Sequence, residues 1–266
     1  MQATRTASVL AAGLLFLSLL AAGQQGSESL DAKLRQAAAE GDSAAVQQLL
    51  QKGANIEAKG FEVFSNATPL LLALYKGHSD VGKLLIEKGA QIEYRAPTAD
   101  GSPYMVDFSA LSFAAGNCQI EIVKLLLEKG AHIKGNGISK DALGNAAEAG
   151  CTEAVKLLLA KGANIEAGGS VYGSPLNAAA ARGHTQIVTM LLERGANTEA
   201  GDPDHQQTAL LLAAYWGNTE IVKVLLMKGA RVEAKDKDGN TALVIALGRG
   251  HLDIAKLLQA KGARLP

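Results

Sequence analysis

The chain has 266 residues, enough for a sizeable core in one or two domains. Apolar residues make up 48% of it but aromatics only 4%, so the core is expected to be built from Ala and Leu rather than from rings. Lys plus Arg equals Asp plus Glu at 26 each, which excludes a global electrostatic pull toward nucleic acid or an anionic membrane.

The N-terminal segment reads as a separate unit. Arg5 is the only charged residue before Glu28, and an apolar run from Val9 to Leu20 is broken only by Gly13 and Ser18. Ala21-Ala22-Gly23 then places small residues where a signal peptidase needs them for a cut after Gly23. A basic start, a short apolar run and a small-residue site make residues 1–23 a secretory signal peptide, followed by a short linker over 24–29. The run is shorter than the roughly 20 residues needed to span a bilayer, and an uncleaved anchor is the alternative. No cysteine lies near the cut, which argues against a bacterial lipid anchor. Losing Arg5 leaves 25 basic residues against 26 acidic ones.

From residue 30 onward one pattern recurs. A glycine closes the first predicted helix of each unit at Gly41, Gly77, Gly150, Gly183, Gly217 and Gly250, and Cys118 takes its place in the third unit. Successive spacings of 36, 41, 32, 33, 34 and 33 give a base period of 33. Nine residues before the anchor of every unit but the first stands Thr68, Ser109, Asp141, Ser174, Thr208 or Thr241, each a helix N-cap type. Pro69 and Pro175 follow two of these caps, in the turn where a missing N–H costs nothing. A second helix follows each anchor, with apolar faces such as Ile122 to Leu127 and Ala154 to Leu159. Each ends at Gly-Ala, beginning at Gly53, Gly89, Gly130, Gly162, Gly195, Gly229 and Gly262, where glycine takes left-handed angles cheaply. A Lys or Arg before that glycine suits the negative end of the helix.

The run from Ser174 to Ala196 matches almost in full the motif Thr-Pro-Leu-x-x-Ala-Ala-x-x-Gly-His-x-x-Ile-Val-x-Leu-Leu-Leu-x-x-Gly-Ala. The chain resembles an ankyrin repeat protein from about residue 30 to the C-terminus. The resemblance implies an all-α solenoid of stacked helix-turn-helix units with projecting turns. About seven repeats are expected, over 30–59, 60–93, 94–133, 134–167, 168–200, 201–234 and 235–266. Polar substitutions mark the end units as caps: Lys33 and Gln48 in the first, Gln259 in the last. No second domain is expected. Two insertions break the period, Lys59 to Asn66 and Tyr94 to Phe108, adding about three and eight residues; insertions in such arrays collect on one face, often the binding face.

Catalytic and metal chemistry find little support. His78, His184 and His251 share one repeat position, where a local hydrogen bond bracing the loop is expected. No His or Cys group has metal-ligand spacing. Gly135-Asn136-Gly137 lacks the next glycine of a phosphate loop, since Lys140 stands there, and reads as a widened turn. Asn66-Ala67-Thr68 has the glycosylation pattern, but Thr68 is needed as a helix cap. Glu57, Glu93, Glu166, Glu199 and Glu233 recur at the repeat period and read as solvated turn residues. Cys118 and Cys151 occupy the anchor position of one repeat and the histidine position of the next. Equivalent points on stacked repeats lie roughly 8–10 Å apart, beyond the ~7 Å limit for a disulfide, so two free thiols are expected. A thiol nucleophile built from Cys118, Asn117 and His132 is disfavoured, because the repeat register already explains Cys118.

The resemblance places the partner-binding surface on the two residues before each anchor, together with the turn tips. Those positions hold Tyr75 and Lys76, Arg182, Tyr215 and Trp216, and Arg249, residue types enriched at interface hot spots. Five of the ten aromatics after residue 23 fall in the insertions: Phe61, Phe64, Tyr94, Tyr104 and Phe108. Tyr104 and Phe108 join the candidate set. The expectation is a non-catalytic, exported protein-interaction module, periplasmic or secreted. It should be monomeric, with no cofactor or metal, no nucleic acid, and no membrane contact after signal removal. A small-ligand receptor or enzyme with a pocket under residues 94–108 is the alternative.

Overall fold

The computed structural model describes residues 29–59, 67–93, 109–133, 141–168, 172–202 and 204–265. Fourteen helices lie among them. They run α1 Leu30–Glu40, α2 Ser43–Gln51, α3 Pro69–Tyr75, α4 Ser79–Glu87, α5 Ala110–Gly116, α6 Ile120–Glu128 and α7 Ala142–Ala149. Then come α8 Thr152–Ala160, α9 Pro175–Arg182, α10 Thr185–Glu193, α11 Ala209–Trp216, α12 Thr219–Met227, α13 Ala242–Arg249 and α14 Leu252–Ala260. No strand forms among the described residues; an isolated antiparallel bridge joins Lys235 to Thr241.

Consecutive helices pair into seven units, α1 with α2 through α13 with α14. Odd-numbered inner helices pack on one another in a row, and even-numbered outer helices form a second row behind them. These helices have seven to eleven residues, too short to be stable alone, so stacking holds them. One continuous core runs through the array. Leu70, Leu111, Leu143, Leu176, Leu210 and Leu243 repeat at its centre, each at most 1% exposed. Burying one such side chain contributes about 2 kcal/mol.

Five of the six predicted caps form; Thr208 makes no side-chain cap hydrogen bond. The Ser29, Asp42, Thr68, Ser109, Asp141, Ser174 and Thr241 side chains accept from backbone N–H groups of their first turns. Ser109 and Ser112 complete a reciprocal capping box. The anchor positions take left-handed backbone angles, including Cys118 at φ 55°. A non-glycine residue there pays about 1–2 kcal/mol.

Two sets of hydrogen bonds stitch the units together, and both revise expectation. His78 Nε2 donates to Ala39 O at 3.0 Å, His184 Nε2 to Glu148 O at 3.0 Å and His251 Nε2 to Tyr215 O at 3.2 Å. The carbonyls can only accept, so Nε2 carries the proton. These bonds are not local: each reaches the preceding unit. Asn218 Nδ2 takes the same role at Ala180 O, 2.7 Å away. Each ring also sits against the preceding anchor glycine. A Cβ on Gly41, Gly150 or Gly217 would fall 2.6–2.7 Å from the following histidine.

The recurring glutamates are stitches too, rather than merely solvated residues. Glu57 accepts from Gln91 N, Glu93 from His132 N, Glu166 from Asn197 N, Glu199 from Arg231 N and Glu233 from Arg264 N, at 2.7–3.0 Å. Three residues after the Gly-Ala alanine, the third unit carries Lys134 where the first, second, fourth, fifth and sixth have Glu. A lysine side chain has no acceptor.

The cysteines are bonded, contrary to expectation. Cys118 and Cys151 form a disulfide with their Cα atoms 5.2 Å apart. The reason lies in the register. The two are not equivalent points on neighbouring units: one is the anchor and the other the residue after an anchor, one unit later. That is the pairing in which a histidine ring elsewhere presses on a glycine, so the backbones already approach within disulfide reach. With its sulfur in this bond, Cys118 is no thiol nucleophile.

Candidate partner-binding face

The C-terminal ends of the inner helices form one continuous face, because each helix presents the residues just before its anchor in the same direction. In the second to fifth units this face holds a recess of about 360 Å³. Tyr75 and Phe113 form one wall, with ring centroids 5.5 Å apart in an edge-on arrangement. Gly116 and Ala149 leave its floor shallow, and Asn117, Asn145, Glu148 and Arg182 supply polar groups. Asn117 Nδ2 is itself engaged, donating to Leu74 O at 2.7 Å and Tyr75 O at 3.1 Å. Lys76 Nζ lies 5.6 Å from the Tyr75 ring centroid.

Arg182 closes the recess from the fifth unit. One guanidinium nitrogen donates to Glu148 Oε1 at 2.9 Å, and the group lies 5.5 Å from the Tyr172 ring centroid. The Glu148 hydrogen bond, helped by Tyr172 and the Glu148 charge, raises the Arg182 pKa above its already high ordinary value against the cost of burial. The arginine end of this pair therefore stays charged throughout the neutral range.

The sixth and seventh units carry a ledge instead of a recess. Tyr215 and Trp216 meet edge to face with centroids 5.1 Å apart, and Trp216 is 51% exposed. Arg249, one unit on, lays its guanidinium over Tyr215 at 3.6 Å from the ring centroid. Tyr215 thus packs between units while Trp216 faces solvent, so packing and display are divided between adjacent residues.

Six of the predicted residues fall on this face. Tyr75, Lys76 and Arg182 gather about the recess; Tyr215, Trp216 and Arg249 make the ledge. Tyr104 and Phe108, with the other insertion aromatics, lie outside the described residues, as does the segment proposed to cover a ligand pocket. Phe113, Asn145 and Tyr172 were not foreseen. Phe113 and Asn145 stand five residues before their anchors, one helical turn behind the exposed pair, so the 3.6-residue period places them on the same face. Among the described residues, no group of three or more His, Cys, Asp or Glu side chains could hold a metal ion. None of the described helices is long and apolar enough to cross a membrane.

A row of short helix pairs with an exposed aromatic and cationic inner face defines the chain as a stacked-repeat binding scaffold. A family model described as "Ankyrin repeats (3 copies)" matches residues 34–137, 134–202 and 197–265, and the chain belongs to the ankyrin repeat family. Among solved structures it is similar to the crystal structure of the human ASB11 ankyrin repeat domain, at 26% identity and a TM-score of 0.71. That match covers 88% of this chain and 99% of the other. No curated protein matches the chain. Ankyrin repeats are protein–protein interaction modules, and the fold is typically non-catalytic.

Proposed function

We propose that this chain is an exported, non-catalytic ankyrin module. It would bind a single protein partner, as a monomer, through the inner-helix face of its second to seventh units. The observation that carries the reading is the ledge: the chain's one tryptophan is half exposed at a position where the first and fourth units have alanine or glutamate. A large exposed ring beside a stacked arginine is the composition of an interface hot spot, and nothing in the fold requires it there.

Export is supported by two independent features. The N-terminal 23 residues have the charge and apolar pattern of a signal peptide, and the Cys118–Cys151 disulfide suits a compartment that keeps thiols oxidised. Cleavage after Gly23 then releases the repeat domain into the periplasm or the medium.

Affinity capture from the exported fraction, with the chain beginning at Gln24 as bait, tests the reading. The variant Trp216→Ala should lose the partner while its far-ultraviolet circular dichroism and melting curve stay close to the parent's. Capture unchanged by that variant would contradict the site, and a native N-terminus that retains residues 1–23 would contradict the release.

A further inference from the structure

We infer that the segment docking on the ledge is acidic: a stretch of protein with an Asp or Glu carboxylate for Arg249 beside an aromatic or large aliphatic side chain for Trp216. This rests on the inner-helix face being the partner surface and adds the chemistry of what it takes. Four outer helices pair a lysine with their own glutamate: Lys83 with Glu87, Lys124 with Glu121, Lys156 with Glu153 and Lys223 with Glu220, while Lys256 on the last outer helix has no ion pair among the described residues. On the inner face Arg182 is answered by Glu148. Arg249 is exposed and has no carboxylate within ion-pairing reach among the described residues.

Its geometry is that of a waiting fork. The guanidinium carbon lies 3.6 Å from the Tyr215 ring centroid, which holds the group against the ring. The in-plane N–H edges that match a carboxylate two to two are left unused. The chain's formal charge is zero, so this cation is not a sample of a generally basic surface. In the fifth to seventh units the two positions before each anchor hold Ala181-Arg182, Tyr215-Trp216 and Gly248-Arg249, with no acid among them. Among the described residues nothing supplies the countercharge, which leaves the position to a partner's carboxylate. Arginine beside exposed aromatics also suits single-stranded nucleic acid, but that requires a track of several cations along a phosphate backbone, and the ledge offers one unpaired cation.

The test is selection of short random peptides, displayed on phage, against the oxidised protein. The enriched peptides should be rich in Asp or Glu next to Phe, Tyr, Trp or Leu. A synthetic peptide made from them should shift the fluorescence of Trp216, the single tryptophan. Its binding should weaken about tenfold with Arg249→Gln, which removes one charge-assisted pair, and weaken again at high salt. Arg249→Glu should turn the selection toward Lys and Arg; circular dichroism of both variants confirms that the array is intact. Neutral or basic peptides that still depend on Tyr215 and Trp216 would overturn the acidic assignment while leaving the ledge as a protein site. Tighter binding of oligothymidylate than of any peptide would overturn it in favour of nucleic acid. If no selected peptide responds to changes at Tyr215, Trp216 or Arg249, the assignment falls together with the reading of the face beneath it.

Discussion

The junction between the third and fourth units and the junction between the fourth and fifth use the same two positions and fill them differently. At the latter, Gly150 and His184 meet, and the ring both fills the space above the glycine and donates to Glu148 O. At the former, cysteines occupy both positions and a covalent bond replaces the strut. The sequence also substitutes Lys134 for the glutamate that elsewhere accepts from the next unit's backbone. A stack of this kind is held by nearest-neighbour interfaces, and besides the disulfide this one is joined by a hydrogen bond from Asn145 Nδ2 to Ser112 O at 3.3 Å. The difference teaches that one packing position can be stitched by sterics and a hydrogen bond or by a bond between sulfurs. The second choice ties the array to an oxidising environment.

The largest effect should come from removing the disulfide. With the cysteines separated by 33 positions in sequence, Cys118→Ser with Cys151→Ser should cost about 3–4 kcal/mol, mostly through the freed unfolded chain. Urea unfolding should then separate into two steps as the halves uncouple. A single transition at the parent midpoint would break the comparison. Cys118→Gly with Cys151→His, which installs the strut used elsewhere, should restore a single transition and about 1 kcal/mol.

Next in size is a pair of glycine substitutions that separates sterics from backbone preference. Gly150→Ala should cost about 2–3 kcal/mol, since its Cβ would fall 2.6 Å from the His184 ring at φ 80°. Gly162→Ala pays only for its left-handed backbone, about 1 kcal/mol, because nothing lies within 4 Å of the new carbon. Equal losses by thermal denaturation would show that the ring does not need that space. Smaller again, Glu166→Ala should cost about 1 kcal/mol by releasing Asn197 N, with faster amide exchange confined to that turn. Smallest of all, Trp216→Ala should change stability by no more than about 0.5 kcal/mol, because its ring is half exposed. A larger loss would mean that the ring is structural.

The repeat was legible because every level of the sequence agreed on it: caps at Thr68 and Ser174, closing glycines, and apolar runs such as Ile122 to Leu127. That consistency specified helices, their order and the exposed face, including Arg182, Trp216 and Arg249. The junction chemistry was not legible, because a period equates positions within units and is silent on how units are offset. Cys118 and Cys151 looked too far apart for that reason, and His184 and Glu166 looked local. Phe113 and Asn145 could have been read from the helical period. The approach of Arg249 to Tyr215 could not, since it depends on the distance between two units.

The central claim is that function lies with the residues that depart from the repeat on the inner face, not with those that build it. Hydrogen exchange of the oxidised protein, free and with its captured partner segment, tests this without any substitution. New protection is expected at the C-terminal ends of α11 and α13, around Trp216 and Arg249, with the outer helices unchanged. Protection confined to outer helices such as α10 and α12 would contradict it.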